Sequence, residues 1–270
     1  GGTVEYYNVA ADFSFSSLIY NNLILNFDNT DRVARVQGNM TINGNLVIQS
    51  GRFQINNNTG GAARTINVSG SVIVYENGRI LIGSGIYSHT FSIRGDFTIN
   101  GDVRFTDRDA PDYLTSGGAR ANVIFNNTAA DQHLYINASA IFYRIGINKG
   151  NDDTYILHID ATNEDFFKLY GPNYLQTNSP GTPPNITNNN ALGLEAGTVR
   201  LGQNIIIPAL ASSNNYTQWG TGGFDGRNYA IDEDATLWID GAKVYTTYFT
   251  PPSANAKSIM SVYGKLRITA

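Results

Sequence analysis

Between Val36 and Phe105 apolar residues recur in pairs two positions apart: Met40/Ile42, Leu46/Ile48, Phe53/Ile55, Ile66/Val68, Val72/Val74, Ile80/Ile82, Phe91/Ile93, Phe97/Ile99 and Val103/Phe105. Side chains alternate sides along a strand, so both members of a pair face one way and the residue between them (Thr41, Gln54, Asn67, Ser92, Thr98, Arg104) faces the other. The pairs are separated by Asn43-Gly44-Asn45, Ser50-Gly51, Ser69-Gly70, Asn77-Gly78, Arg94-Gly95-Asp96 and Asn100-Gly101-Asp102. Gly and Asn tolerate the positive φ of a sharp bend, so the stretch reads as short strands joined by tight corners.

The pattern repeats. Val36–Ile48 matches Ile93–Phe105 in residue character at almost every position, an offset of 57 residues, and Ile66–Ile82 carries the same pattern with a longer corner. Two steps fit in that offset, each with three short strands and a longer loop (Asn56–Arg64, Gly83–Thr90). A period in this range marks a solenoid, in which each coil buries its inner face only against its neighbours. The expected fold is all-β, a parallel (right-handed) β-helix with three short strands per coil and decorated loops. Asn-Gly between alternating apolar runs is also the signature of a two-residue hairpin, which makes an antiparallel β-sandwich the alternative. Strands of three to five residues form weak hairpins on their own, which favours the solenoid.

A longer self-similarity aligns Thr3–Asp12 with Asn122–Asp131 and Tyr20–Asn26 with Phe142–Asn148. It divides the solenoid into a first block, 1–118, and a second, 119–270, with long loop insertions. In the second block the strand rhythm continues at Thr154–Ile159, Leu194–Leu201, Asn204–Ile207, Ala235–Gly241 and Ser261–Ile268, interrupted by the Pro-rich Ser179–Pro184 and by Ala211–Asn228. Because coils run to Ala270, a further coil or cap is expected in a longer parent chain.

Composition narrows the function classes. The chain of 270 residues is 41 % hydrophobic with 16 Tyr and 13 Phe, ample for a core, and helical periodicity is nearly absent. Only 15 % of residues are charged and the net charge is −4 with no basic run, which argues against nucleic acid as a partner. There is no cysteine for a disulfide or thiolate metal site, and nothing reads as a signal peptide or membrane span. A cysteine-free, Asn- and Gly-rich β-protein suits an exported surface molecule.

Val4 and Glu5 in Gly2–Tyr6, its partner Asn122–Phe125, Tyr20–Asn26, Met40–Gly51 and Ala235–Ala242 resemble the β-helical repeat regions of large secreted and cell-surface Bacteroidetes proteins, exported by type IX secretion and including gliding-type adhesins. The resemblance covers most of the chain. It implies an extracellular stalk or adhesive surface, joined to other domains of the same long chain, with no catalytic motif to carry over. The Pro-rich loop and the aromatic insertion depart from it.

Candidate contact residues lie mainly in loops. Tyr216, Trp219, Phe224, Asp225, Arg227 and Tyr229 combine aromatic faces with hydrogen-bonding groups, as sugar recognition requires; folding back over the coil is the alternative use of these rings. Asp107, Asp109 and Asp112 place three carboxylates in one loop, a candidate calcium site, the only cofactor expected; Asn151-Asp152-Asp153 and Asp232-Glu233-Asp234 offer less of the same. Arg94-Gly95-Asp96 spells an adhesion tripeptide but sits at a corner equivalent to Gln37-Gly38-Asn39. His89, His133 and His158 have no spacing that pairs them. Arg104 or Arg120 beside the Asp107 loop is all that a lyase reading would have, and a non-enzymatic role is expected. Val47, Ile73 and Leu81 form an apolar outward stripe suited to self-association. The expected roles are therefore a stiff spacer with loop contacts, a carbohydrate-binding or polysaccharide-degrading β-helix, or a self-assembling surface element.

Overall fold

The structure is a computed structural model and describes residues 1–15, 18–56, 62–107, 118–170, 191–207, 227–244 and 259–269. Strands β1 (Thr3–Tyr7) and β2 (Phe13–Ser14) open the stack. The next coils are β3 (Ile19–Tyr20), β4 (Asn22–Asn26) and β5 (Val33–Arg35); β6 (Met40–Ile42) and the long β7 (Leu46–Gln54); β8 (Thr65–Val68) and the long β9 (Val72–Leu81). Then come β10 (Ser88–Ile93), β11 (Phe97–Ile99) and β12 (Val103–Arg104); β13 (Arg120–Phe125), β14 (Gln132–Ile136) and β15 (Ala140–Phe142); β16 (Arg144–Asn148), β17 (Ile156–Ala161) and β18 (Phe167–Leu169). The last are the long β19 (Leu192–Leu201) with β20 (Ile206–Ile207); β21 (Arg227–Ile231), β22 (Ala235–Asp240) and β23 (Lys243–Val244); and β24 (Ile259–Val262) with β25 (Lys265–Thr269).

Every strand pairing is parallel and joins a strand to its counterpart one coil away. The one antiparallel contact among the described residues is the isolated Thr106–Arg120 bridge. The chain is therefore a parallel β-helix, and the sandwich alternative falls. It has three faces. The first carries the β6, β8, β10 and β13 series, the second the starts of β7 and β9 followed by β11, β14 and β17, and the third the ends of β7 and β9 followed by β12, β15 and β18. β7, β9 and β19 run on through their corners, where the pairing shifts register at Leu25/Asn26, Ile48/Ser50 and Ile147/Asn148, and so span two faces as single strands.

All nine apolar pairs point inward, each residue at most 2 % exposed. On the second face Leu23, Leu46, Val72, Phe97, Leu134, Ile159 and Leu201 stack in one column. Phe91, Phe105, Phe142 and Phe167 run up the middle with ring centroids 5.5–5.7 Å apart. Full burial of each such ring contributes roughly 1.5–3 kcal/mol. Gln54 and Ser92, expected on the solvent side, are 5 % and 8 % exposed: Gln54 Nε2 donates to the Asn56 carbonyl and Ser92 Oγ accepts from Asn126 Nδ2. They do point outward, but neighbouring chain covers them.

The 57-residue offset is not the structural repeat. Met40 stacks on Ile66 and Ile66 on Phe91, steps of 26 and 25 residues, while Phe97 stacks on Val72 of the second face. The two matched segments are thus out of step by one strand plus its corner. Every strand–corner unit carries the same apolar–polar–apolar–glycine pattern, so sequence similarity alone slips freely by one unit. The longer alignment slips likewise: Val4 belongs to the second face beside Leu23, whereas Val123 stacks on Phe91 of the first. Arg94-Gly95-Asp96 accordingly stacks on Ser69-Gly70-Ser71, with Gly95 N donating to Gly70 O at 2.9 Å.

The glycine corners serve a different need from the one expected. Of those named, only Gly51 has positive φ (92°), where a Cβ would also strike the Phe27 ring. At Gly70 and Gly95 the backbone is ordinary, but a Cβ would lie 2.7 and 2.5 Å from the carbonyl carbon of the glycine one coil below. The glycines are required by axial close approach. Beside them a polar ladder ties five coils: Asn22 Oδ1 accepts from Asn45 N (2.9 Å), Asn45 Oδ1 from Ser71 N (2.8 Å), Ser71 Oγ from Asp96 N (3.1 Å), and Asp96 Oδ1 from His133 N (2.8 Å).

Candidate functional site: an outer ladder on the second face

β14 reads Gln-His-Leu-Tyr-Ile, and its pleat buries Leu134 and Ile136 while leaving His133 and Tyr135 outside. In-register parallel stacking then sets each outer residue beside its counterpart one coil on. His133 lies beside His158, His158 beside Arg200, Arg200 beside Trp238, and Trp238 beside Arg267. The imidazoles of His133 and His158 are nearly parallel (10°) with centroids 4.6 Å apart, and His133 also stacks with Tyr135 at 5.1 Å. The guanidinium carbons of Arg200 and Arg267 sit 5.7 and 3.9 Å from the Trp238 ring centroid. Each such cation–π pair at a partly exposed site contributes about 0.5–1 kcal/mol.

Carboxylates flank the ladder. Arg200 Nε donates to Asp240 Oδ2 at 2.7 Å, and its Nη1 donates to both oxygens of Asp160 at 3.2 and 3.1 Å. A Cβ at Gly202 would fall 1.9 Å from Asp160 Oδ1, so glycine there makes room for the carboxylate. Thr269 Oγ1 accepts from Trp238 Nε1 at 2.9 Å and donates to Asp240. That hydroxyl and the Arg200 guanidinium hold the Asp240 carboxyl below the usual range. Burial, then the neighbouring His133 and Arg200, push His158 below its ordinary value. Asp131 Oδ2 lies 4.0 Å from His158 Nε2, with Asp131 Oδ1 fixed by the Ile156 N–H at 2.8 Å.

Two further titratable groups are enclosed. Lys149 is fully buried, its Nζ donating to Ala130 O (2.8 Å) and Gln132 Oε1 (2.9 Å), and burial lowers it to about 8. His89 is fully buried with Nδ1 accepting from Arg64 N at 3.1 Å and Nε2 lacking a hydrogen-bond partner. Burial, followed by Arg64 and Arg120, lowers it to about 4. Both are shut away from solvent.

The residues expected from sequence fare differently. Tyr216, Trp219, Phe224, Asp225, Asp109 and Asp112 lie outside the described residues. Arg227 and Tyr229 belong to β21, paired with Ile259 and Met260 of β24, and not to an insertion loop. Asp107 Oδ2 accepts from Ala119 N at 2.9 Å. Asp96 is engaged by the His133 N–H as part of the coil-tying ladder. Asp152 Oδ1 caps Thr154 N, and Asp153 pairs with Lys265. Asp232 is raised by burial and by Glu195, Asp234 and Glu233. Among the described residues no three His, Asp or Glu side chains already stand in metal-ligating positions. Val47 and Ile73 share an outer column, but Leu81 lies on the third face beside Gln54 and Arg104, so the expected apolar stripe is split.

Sequence reasoning missed the ladder. The expectation that the histidines share no face fails for His133 and His158, which are neighbours. Along the chain the ladder residues are 25, 42, 38 and 29 positions apart, because the length of chain between successive rungs varies. The legible signal was the strand frame: aligning Leu134, Ile159 and Leu201 as one inner column brings His133, His158 and Arg200 together. No protein-family model, curated protein or solved structure matches the chain.

Proposed function

We propose that the chain is a non-enzymatic, extracellular structural module, a stiff β-helical spacer of a larger surface protein that presents its outer faces and loops for contact. The observation that carries this reading is the continuous parallel pairing. On the second face parallel pairing passes from β1 to β25 through ten strands, a rise of roughly 43 Å at about 4.8 Å per coil. Inner columns, corner ladders and the outer ladder each join every coil they cross to the next, so bending would have to break several of them together. The lack of cysteine and the low share of charged residues support an exported setting, as does the likeness to Bacteroidetes surface repeats.

A one-coil deletion tests the spacer. Thr65 and Thr90 are register partners, so removing Ile66–Thr90 joins equivalent points. Spin labels on exposed positions of β1 and β25 should move closer by about 4.8 Å with no broadening of the distance distribution. A broad distribution in the parent chain would sink the stiff-spacer reading. Release of reducing ends from a panel of polysaccharides would sink the non-enzymatic one.

A further inference from the structure

We propose that His133 and His158 together form a surface site for a divalent transition-metal ion of the zinc or copper type, completed by Asp131 and water. The parallel β-helix brings the two residues into register on adjacent strands. Both imidazoles are partly exposed, and no ring nitrogen of either is hydrogen-bonded to another described residue. The lone pairs needed for ligation are therefore not spent within the fold.

Ligation needs the two rings to close and to turn. Metal–nitrogen bonds of about 2.0–2.1 Å at a tetrahedral angle put the two nitrogens about 3.3 Å apart. Near-parallel rings 4.6 Å apart at their centroids aim their in-plane lone pairs side by side, so each ring must lean inward by roughly 0.6 Å and also turn about χ2 until the lone pairs converge, a torsion that is broad for imidazole. Asp131 stands next to this point: its Oδ2 is 4.0 Å from His158 Nε2, its side chain is about half exposed, and its Oδ1 anchor to Ile156 N leaves Oδ2 free to swing.

The surrounding charge favours a cation. Asp96 and Asp160 flank the pair, since Asp96 accepts from His133 N and Asp160 is the register partner of Tyr135. Arg200, the nearest cation, is held between Asp160 and Asp240. Two imidazoles with one carboxylate select zinc, copper or nickel over calcium or magnesium, which prefer all-oxygen sets. This site is separate from the Asp107 loop and independent of the spacer reading.

The chain has three histidines, and buried His89 serves as an internal control. Zinc chloride titrated into the tag-free chain at pH 7.5, followed by calorimetry, should show one ion per chain. In proton NMR the His133 and His158 imidazole signals should shift while that of His89 stays. H133Q and H158Q should each weaken zinc at least tenfold, D131N by a few-fold, and the double His variant should not bind. Bound copper(II) should show electron-paramagnetic splitting from two nitrogens. Wild-type affinity retained in both single variants, zinc shifts confined to other residues, or no zinc binding below about 1 mM would overturn the proposal. The NMR readout uses the unaltered chain, so it decides the matter even if a variant folds poorly.

Discussion

Gly95→Ala is the sharpest probe of what holds the coils at their spacing. The added methyl carbon would sit 2.5 Å from the Gly70 carbonyl carbon and 2.6 Å from Gly70 O and Ser71 N. Carbon contacts relax near about 3.5 Å, so the corner must open by roughly 1 Å. The obstacle is backbone, not the end of a flexible side chain. Opening stretches the Gly95 N to Gly70 O bond (2.9 Å) and the Asp96 N to Ser71 Oγ bond (3.1 Å). Each contributes about 1 kcal/mol net, and a group left unpaired costs about 1–3 kcal/mol. Against this, alanine restricts the unfolded chain and returns about 0.5–1 kcal/mol, with no strain to offset because φ at Gly95 is not positive. The expected net loss is about 2–3 kcal/mol, read from urea unfolding with the slope compared to wild type. Gly2→Ala, where a Cβ meets nothing within 4 Å, is the control and should be near neutral. A Gly95→Ala stability within about 0.5 kcal/mol of wild type would refute axial close approach as the reason for the glycine corners.

Other consequences follow from the enclosed and clamped groups. Lys149 at about 8 in the folded chain lies below its unfolded value of 10.5, so the unfolded chain binds more protons between them and stability should rise as pH increases from 8 to 10. Lys149→Met should flatten that rise in pH-dependent denaturation, and an unchanged slope would count against a buried ammonium. His89 at about 4 lies below its unfolded 6.5, so stability should fall as pH drops through 6.5 toward 4, and His89→Gln should remove that part of the acid loss. Gly202→Ala should push Asp160 off Arg200 and cost about 1 kcal/mol. In the Asp160→Ala background the same change should cost markedly less; full additivity in the double-mutant cycle would refute the clamp.

Much of the fold was readable before any coordinates. The alternation of Met40/Ile42 through Val103/Phe105 set which side chains face the core, because pleating is a local property with period two. It also limited each face of a coil to a few residues, although β7, β9 and β19 run through a corner as single strands. Register was not readable in this way. Gly38-Asn39-Met40 and Gly95-Asp96-Phe97 look alike on paper and lie on different faces, since stacking one strand against another depends on partners 25 or more residues away. The outer ladder was hidden for the same reason: His133, His158, Arg200, Trp238 and Arg267 are separated by unequal lengths of chain and become neighbours only through the pairing of their strands. Local chemistry along the chain decided inside from outside. The stacking of whole coils decided which residue touches which, because only there do hydrogen-bond ladders, inner columns and glycine contacts have to be satisfied at once.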